Sequence, residues 1–304
     1  MLNEEMLEKR LNCVTGSDAA VICGLSPYKS KVKLWLEKTR RAEQEDISNA
    51  GYIKFGNFME DGVAKWFEAE SGKELHEKTS EMLIHHEHEW MAGNIDFRIK
   101  GENAILECKT AAYTEGWGDG ENIIPNHYLM QVAHYCAVGG FDKAYIAVVF
   151  TMSREMRWYE YNRNKELEDK LIKLEKDFWF NNVKDDIAPE PETENDILDL
   201  YKKTVSDPVV GEEEIIEAAY ELKNIKAQKR ELEVKEQEKR DKITTFMKDY
   251  DTLVDASGQV VITWKMARPT ERFDTKTFSI ENPSVYKQYI KVGEPTRRML
   301  IKGE

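Results

Sequence analysis

The sequence predicts an α/β protein: a central mixed sheet flanked by helices, followed by a C-terminal helical and small β extension. Three observations predict it. Stretches with apolar residues at helical spacing alternate with short β-prone runs. Residues 94–109 read as one tight hairpin. Composition shifts at Ala188-Pro189-Glu190-Pro191-Glu192, where alternating Pro and Glu disfavour regular structure and mark a linker. The expected organisation is a main domain over 1–188, a linker over 189–210 and an extension over 211–304.

The elements follow in order. Residues 17–24 form a short helix with Ser17 at the N-cap and Gly24 at its end. Ser30 caps a second helix carrying Val32, Leu34, Trp35 and Leu36, and the polar stretch 38–49 is a loop. Phe58, Met59, Val63, Trp66 and Phe67 recur at helical spacing over 56–71, with Glu60 between them and Gly72 as the stop. Strands are expected at 91–100, 103–109, 143–150 and 155–161, and helices at 124–138, ending on Gly139-Gly140, and 164–182. Beyond the linker, 212–241 is a long helix whose stripe Ile215, Ile216, Ala219, Leu222 and Ile225 gives it a partner-facing side. A strand at 260–264 and a basic tail around Arg297-Arg298 close the chain.

Composition limits the function. With 41% hydrophobic residues, 8 prolines and 17 glycines in 304 residues, the chain has the make-up of a globular protein. A net charge of −13 excludes a general basic DNA-coating protein, because phosphate binding draws on Lys and Arg. An enzyme holding DNA in a narrow groove needs only a local positive surface. The longest clean apolar run, 144–150, is far short of a membrane span, and no signal-peptide stretch opens the chain. A soluble, cytoplasmic protein without membrane contact is the expectation. Cys13, Cys23, Cys108 and Cys136 form no C-x-x-C pair, which argues for four reduced thiols over a zinc site or disulfide framework.

The hairpin carries the chemistry. A two-residue Gly101-Glu102 turn pairs Lys100 with Asn103 and, counting outwards, Asp96 with Glu107. Alternation puts Ile95, Phe97 and Ile99 on one face with Ala104, Leu106 and Cys108. The other face carries Asp96 opposite Glu107, with Lys109 one pleat beyond. Facing carboxylates repel, and a hard divalent cation, Mg²⁺ with Mn²⁺ as substitute, removes that repulsion. A lysine beside the ion suits phosphodiester hydrolysis by orienting water and countering phosphate charge. A solvated strand face with an ordinary cross-strand ion pair is the plainer reading of the same residues, and E-x-K alone does not decide between them.

The order Glu60, Asp96, Glu107-Cys108-Lys109, Gln131 and Tyr135 resembles the PD-(D/E)xK nucleases. Within them it is similar to the lambda-type alkaline exonucleases and YqaJ-like phage recombination nucleases. The resemblance covers residues 10 to about 180 and includes Thr15-Gly16-Ser17-Asp18-Ala19-Ala20, Leu25-Ser26-Pro27-Tyr28, 33–39, Gly56 and Pro125 through Tyr128. Ile95 stands where the family has its proline, a position that contacts neither metal nor substrate.

The resemblance implies a restriction-endonuclease-like core and a catalytic set of Asp96, Glu107, Lys109 and Gln131. It implies metal ligation by Asp96 and Glu107, with Glu60 reaching the ion from the side. Gln131 and Tyr135, one helical turn apart, share a helix face that can point at the hairpin. Arg10 and Ser17 correspond to a pair that grips a terminal 5′ phosphate. For Trp117 two readings stay open, stacking on a DNA base or packing. His85, His86 and His88 read as structural or solvated, and the Gly116–Gly120 stretch as a mobile loop lacking the features of a phosphate loop. The implied function is 5′-to-3′ resection of double-stranded DNA ends, supplying single strands to a phage-type annealing recombinase, with a ring-like homotrimer as assembly. An endonuclease of the same fold and an inert DNA-end or partner-binding module are the alternatives.

Overall fold

The computed structural model describes residues 4–43, 49–78, 81–119, 122–203, 205–291, 293 and 297–301. In chain order the elements are α1 (Glu4–Leu11), α2 (Gly16–Ile22), α3 (Lys31–Lys38), α4 (Gly51–Ser71), β1 (Leu83–Ile84), β2 (Ala92–Gly93), β3 (Phe97–Arg98), β4 (Ala104–Ala111), α5 (Asn126–Gly139), β5 (Lys143–Phe150), β6 (Glu155–Asn162) and α6 (Lys165–Asp177). A π-helical turn (Phe178–Lys184) extends α6, and α7 (Glu194–Leu200), α8 (Glu213–Met247), β7 (Thr252–Val254), β8 (Val260–Thr263), α9 (Thr275–Glu281) and α10 (Pro283–Tyr289) follow. Two compact units result, Met1–Lys202 and Lys203–Glu304.

The first unit is built on a sheet of order β3-β4-β5-β6. Only β4 and β5 run parallel, joined by α5 as the crossover, so the sheet is mixed as expected. β5 (KAYIAVVF) is buried almost throughout, which is why it reads as a continuous apolar run and not an alternating one. On one face α4 packs Val63, Ala64 and Phe67 onto Phe97, Ile99, Ala104, Leu106, Tyr145, Ala147 and Val149. On the other, α5 packs Val132, Ala133 and Cys136 onto Ile105, Ile146, Val148 and Phe150. A smaller cluster joins Trp35 and Leu34 of α3 to Phe178 and Trp179, with Trp35 Nε1 donating to the Asn182 carbonyl at 3.0 Å.

The hairpin register agrees with the sequence reading, Phe97 pairing with Leu106 and Arg98 with Ile105 across a turn in which Gly101 takes φ 77°. The expected strand 91–100 is instead split. Ala92–Gly93 pairs with β1, Phe97–Arg98 pairs with β4, and Asn94 to Asp96 turn between them. In consequence Ile95 leaves the face of Phe97 and Ile99 and joins the α5 cluster, which corrects the alternation expected for it.

Two boundaries also move. Thr15, not Ser17, is the N-cap of α2, and its N–H donates to Asp18 Oδ2 at 2.9 Å. α4 starts at Gly51, five residues ahead of the expected start, from an Ala50 N-cap that makes no side-chain hydrogen bond and so leaves no capping signal in the sequence. The expected loop 38–49 opens with the last residue of α3, and its 44–48 portion lies outside the described residues, as does Gly120. Part of the 189–210 stretch is helical: α7 belongs to the first unit, where its Asp196, 2% exposed, accepts hydrogen bonds from Ser30 Oγ and from the N–H groups of Glu192 and Thr193. The division between units falls after Lys202.

In the second unit β7 and β8 form a two-stranded antiparallel ribbon closed at Gly258, whose φ of 87° suits only glycine comfortably. No helix among the described residues is long and apolar enough to cross a membrane.

Candidate active site

The site forms at the C-terminal end of β4, where the strand meets the unpaired approach to β3. Continuing the register one step beyond Phe97 sets Asp96 opposite Glu107. The next ladder partner of Cys108 N–H would be the Ile95 carbonyl. Instead the Cys108 N–H donates to Asp96 Oδ2 at 2.7 Å, so the carboxylate ends the ladder and is pinned against β4.

Glu107 is 3% exposed. Its Oε1 accepts from Lys109 Nζ at 2.6 Å and from Gln131 Nε2 at 2.8 Å. Its Oε2 is buried and has no hydrogen-bond partner. A buried carboxylate oxygen left without a donor is costly, on the order of 1–3 kcal/mol or more. Burial pushes the Asp96 carboxyl well above its usual range, and the charges of Glu107 and then Glu60 push it further. Burial alone would depress Lys109, but Glu107 and Asp96 outweigh it and hold the ammonium protonated.

Hard oxygen donors, one of them orphaned, in a field with an excess of negative charge fit a divalent cation of the Mg²⁺ or Mn²⁺ type. The third expected ligand already has a cationic partner. Glu60 on α4 forms an ion pair with Lys78, and among the described residues no three His, Cys, Asp or Glu side chains converge as a ready-made metal cage.

α5 supports the carboxylates from one side. Gln131 spends its second amide hydrogen on the Tyr135 hydroxyl at 3.0 Å. Tyr135 is 5% exposed and lies against Gly16 and Gly93, where an added Cβ would fall 2.4 and 2.8 Å from ring carbons. Tyr135 is thus placed as a packing and hydrogen-bonding support for Gln131. For Trp117, of the two open readings the structure favours packing. Its ring stacks on Tyr128 at 5.3 Å and meets Tyr159 and Phe150, so its face is not open to a base. The ring that meets Lys109 is Tyr128, with Nζ 5.1 Å from its centroid.

The structure brings the other expected pair together. Arg10 Nη2 donates to Ser17 Oγ at 2.8 Å and to Thr15 Oγ1 at 3.3 Å. Beneath them lies a network that the sequence reading missed. Asp18 accepts from Lys38 Nζ at 2.7 Å and from the Thr15 hydroxyl at 2.8 Å, while Lys38 Nζ also donates to the carbonyls of Arg10 and Cys13. The Thr15-x-x-Asp18 spacing is a capping-box signal that could have found half of it, but no local pattern points to Lys38. Also missed was the fully buried His134, 2.8 Å from Glu175 Oε1 and 3.0 Å from the Ala92 carbonyl, which ties α5 to α6 and to the strand leading to Asp96. His85 stacks with both His86 and His88, and its Nδ1 accepts the N–H groups of Glu87 and His88, a structural role as expected.

A family model described as the YqaJ-like viral recombinase domain matches residues 5–142. The uncharacterized protein YqaJ of Bacillus subtilis (strain 168) is 35% identical over 312 aligned positions, covering 99% of this chain and 95% of the relative. The chain belongs to the YqaJ family. Among solved structures, this YqaJ-family chain is similar to the LHK-Exo complex with dAMP, at TM-score 0.52 and 17% identity. It is also similar to the alkaline exonuclease LHK-Exo from Laribacter hongkongensis, at 0.50 and 15%. Each match covers 61% of this chain and 94% of the other. The YqaJ-family chain therefore shares the fold of these exonuclease structures, a mixed sheet with helices on both faces.

Proposed function

We propose that this YqaJ-family chain is a Mg²⁺-dependent deoxyribonuclease that hydrolyses phosphodiester bonds from the ends of double-stranded DNA, in the 5′-to-3′ direction. The observation that carries the reading is Glu107, whose buried Oε2 lacks a partner opposite Asp96 while Lys109 holds the other oxygen. Asp96 and Glu107 would hold the ion, and Glu60 would join from α4 on releasing Lys78. When bound, the cation supplies Lewis-acid polarisation of a phosphoryl oxygen and lowers the pKa of an attacking water.

The chain's own residues do the rest. Lys109 keeps its proton and sets a positive charge where negative charge builds on phosphorus. Gln131 fixes the orientation of Glu107, and Tyr135 fixes Gln131. Arg10, through its guanidinium fork, and Ser17 at the exposed start of α2 offer charge-assisted bonds to a terminal 5′ phosphate. The polarity and the DNA-end preference rest on this pair and on the family's description as a recombinase domain, which also supports delivery of the single strand to an annealing recombinase.

The test compares linear duplex with a 5′ phosphate, linear duplex with a 5′ hydroxyl, and covalently closed circular DNA, each with Mg²⁺ and with EDTA. Degradation is expected only with the metal, and fastest on the phosphorylated linear duplex. Cleavage of closed circles as fast as linear duplex would replace the exonuclease by an endonuclease on the same site. No cleavage of any substrate would leave an inert end-binding module.

A further inference from the structure

Helix α8 is 35 residues long and carries an apolar seam that lies open among the described residues. Ile215 is 62% exposed, Ile225 59% and Leu232 64%. Ile215, Ala218, Leu222, Ile225 and Leu232 fall on the a and d positions of a heptad, broken only at Lys229, also an a position. The seam runs for about 27 Å along the helix. Charged residues dominate the flanks, while Ile216, Tyr220 and Val234 stand exposed outside this seam, which is the apolar row of α8 with heptad spacing.

We propose that α8 pairs with α8 of a second copy of this chain, antiparallel, in the register that sets Ile215 against Leu232 and Leu222 against Ile225 of that copy. Charge and size select this arrangement. A parallel pair would place Lys229 on Lys229 and Glu236 on Glu236 in the seam; on its flanks the favourable Glu221–Lys226 pair is offset by Lys235 beside Arg240, so the like charges in the seam decide against it. The antiparallel register puts Lys229 opposite Ala218, whose small side chain leaves room for the lysine stem to lie along the seam with its ammonium in water. On the flank, the same register faces Glu214 with Lys235 and Glu221 with Gln228, each pair occurring twice by the two-fold symmetry. Every apolar seam residue from Ile215 to Leu232 then has a partner, and no flanking g position meets its own sign.

The experiment is sedimentation equilibrium on the full-length chain. Wild type is expected to associate in a concentration-dependent way, and Leu222→Asp with Ile225→Asp to abolish the seam-dependent step. Glu214→Lys and Lys235→Glu reverse the flank pairs one side at a time. Each alone is expected to weaken association about tenfold, and an equimolar mixture of the two to restore it, because each then faces its complement. All four positions lie on the exposed flanks or seam, so circular dichroism should show the fold intact. Association through the nuclease unit is not touched by these substitutions, so a mass change that follows them isolates this contact. A wild type that stays at 35.4 kDa, or association indifferent to Leu222→Asp with Ile225→Asp, would overturn the pairing, leaving the seam for the first unit or another protein. Tighter association of Lys235→Glu alone would overturn it in favour of the parallel pair.

Discussion

Gln131 gives one amide hydrogen to Glu107 at 2.8 Å and the other to the Tyr135 hydroxyl at 3.0 Å, so both donors of one side chain are committed to holding the central carboxylate. The carboxylate in turn is left with one buried oxygen, Oε2, that has no hydrogen-bond partner. Orientation, more than charge, is what Gln131 contributes.

Gln131→Ala is therefore expected to leave the fold intact and to lower kcat by roughly 10- to 100-fold, the usual cost of losing a group that orients a metal ligand. Gln131→Glu should do worse, because it sets a third carboxylate against Glu107. Steady-state degradation of linear duplex across a Mg²⁺ titration checks both. Wild-type activity in Gln131→Ala would remove the residue from the site.

Asp96, half-buried, and Glu107, buried, are two acids opposite one another in the register, an arrangement kept for binding at the expense of stability. In Asp96→Asn the amide oxygen can still accept from the Cys108 N–H, while the repulsion disappears. Without divalent metal the variant is expected to melt higher than wild type, by about 2–4 °C for a gain near 1 kcal/mol. Added Mg²⁺ should raise the wild type and not the variant, and the variant should be inactive. Thermal melts in EDTA and in Mg²⁺ read this directly. A variant less stable than wild type in EDTA would show that the two carboxylates do not oppose each other.

The hairpin was legible because each signal is local: Gly101 sets the turn, the turn sets the register, and the register sets Asp96 across from Glu107. The buried run 143–150 and the Gly140 stop of α5, with φ 66°, were legible for the same reason. What escaped depends on distance along the chain. Lys78 reaches Glu60 across 18 residues, Glu175 reaches His134 across 41 and Asp196 reaches Ser30 across 166, and nothing near any of these residues announces its partner. The break at Asn94 to Asp96 escaped because alternation continues through it, and only the pairing of Ala92–Gly93 with β1 reveals it. Trp117 and Tyr135 look alike in sequence whether they face solvent or core; burial decided them.

Gly16 and Gly93 hold the Tyr135 ring between two backbones at distances no Cβ tolerates. Gly93→Ala is expected to cost about 1–3 kcal/mol by overpacking and to displace Tyr135 and with it Gln131. Activity should fall further than the folded fraction does. Urea unfolding and the rate per folded molecule, measured together, separate the two effects. An alanine tolerated at both glycines without loss of stability would mean that the ring is not clamped.

Asp18 gives the chain an acid-sensitive joint beneath Arg10 and Ser17. Burial by itself would raise its carboxyl, but the charges of Lys38 and Arg10 and the hydrogen bonds from Lys38 and the Thr15 N–H outweigh burial and bring it to about 2. A carboxyl held below its unfolded value of 3.8 stabilises the fold when ionised. That stability is fully present above about pH 4 and is lost as pH falls towards 2, and it amounts to about 2–3 kcal/mol. In Lys38→Met the carboxylate loses its main partner and stays buried. The variant should be less stable at pH 7 by roughly 3–5 kcal/mol, the cost of leaving half of a buried pair. The contribution of Asp18 to the pH dependence should also reverse: protonation would now relieve the stranded charge, so the deficit relative to wild type narrows as pH drops from 5 to 3. Urea midpoints at a series of pH values for wild type and Lys38→Met decide it, and a deficit that stays constant or widens over that range would show that Lys38 is not what holds Asp18 ionised.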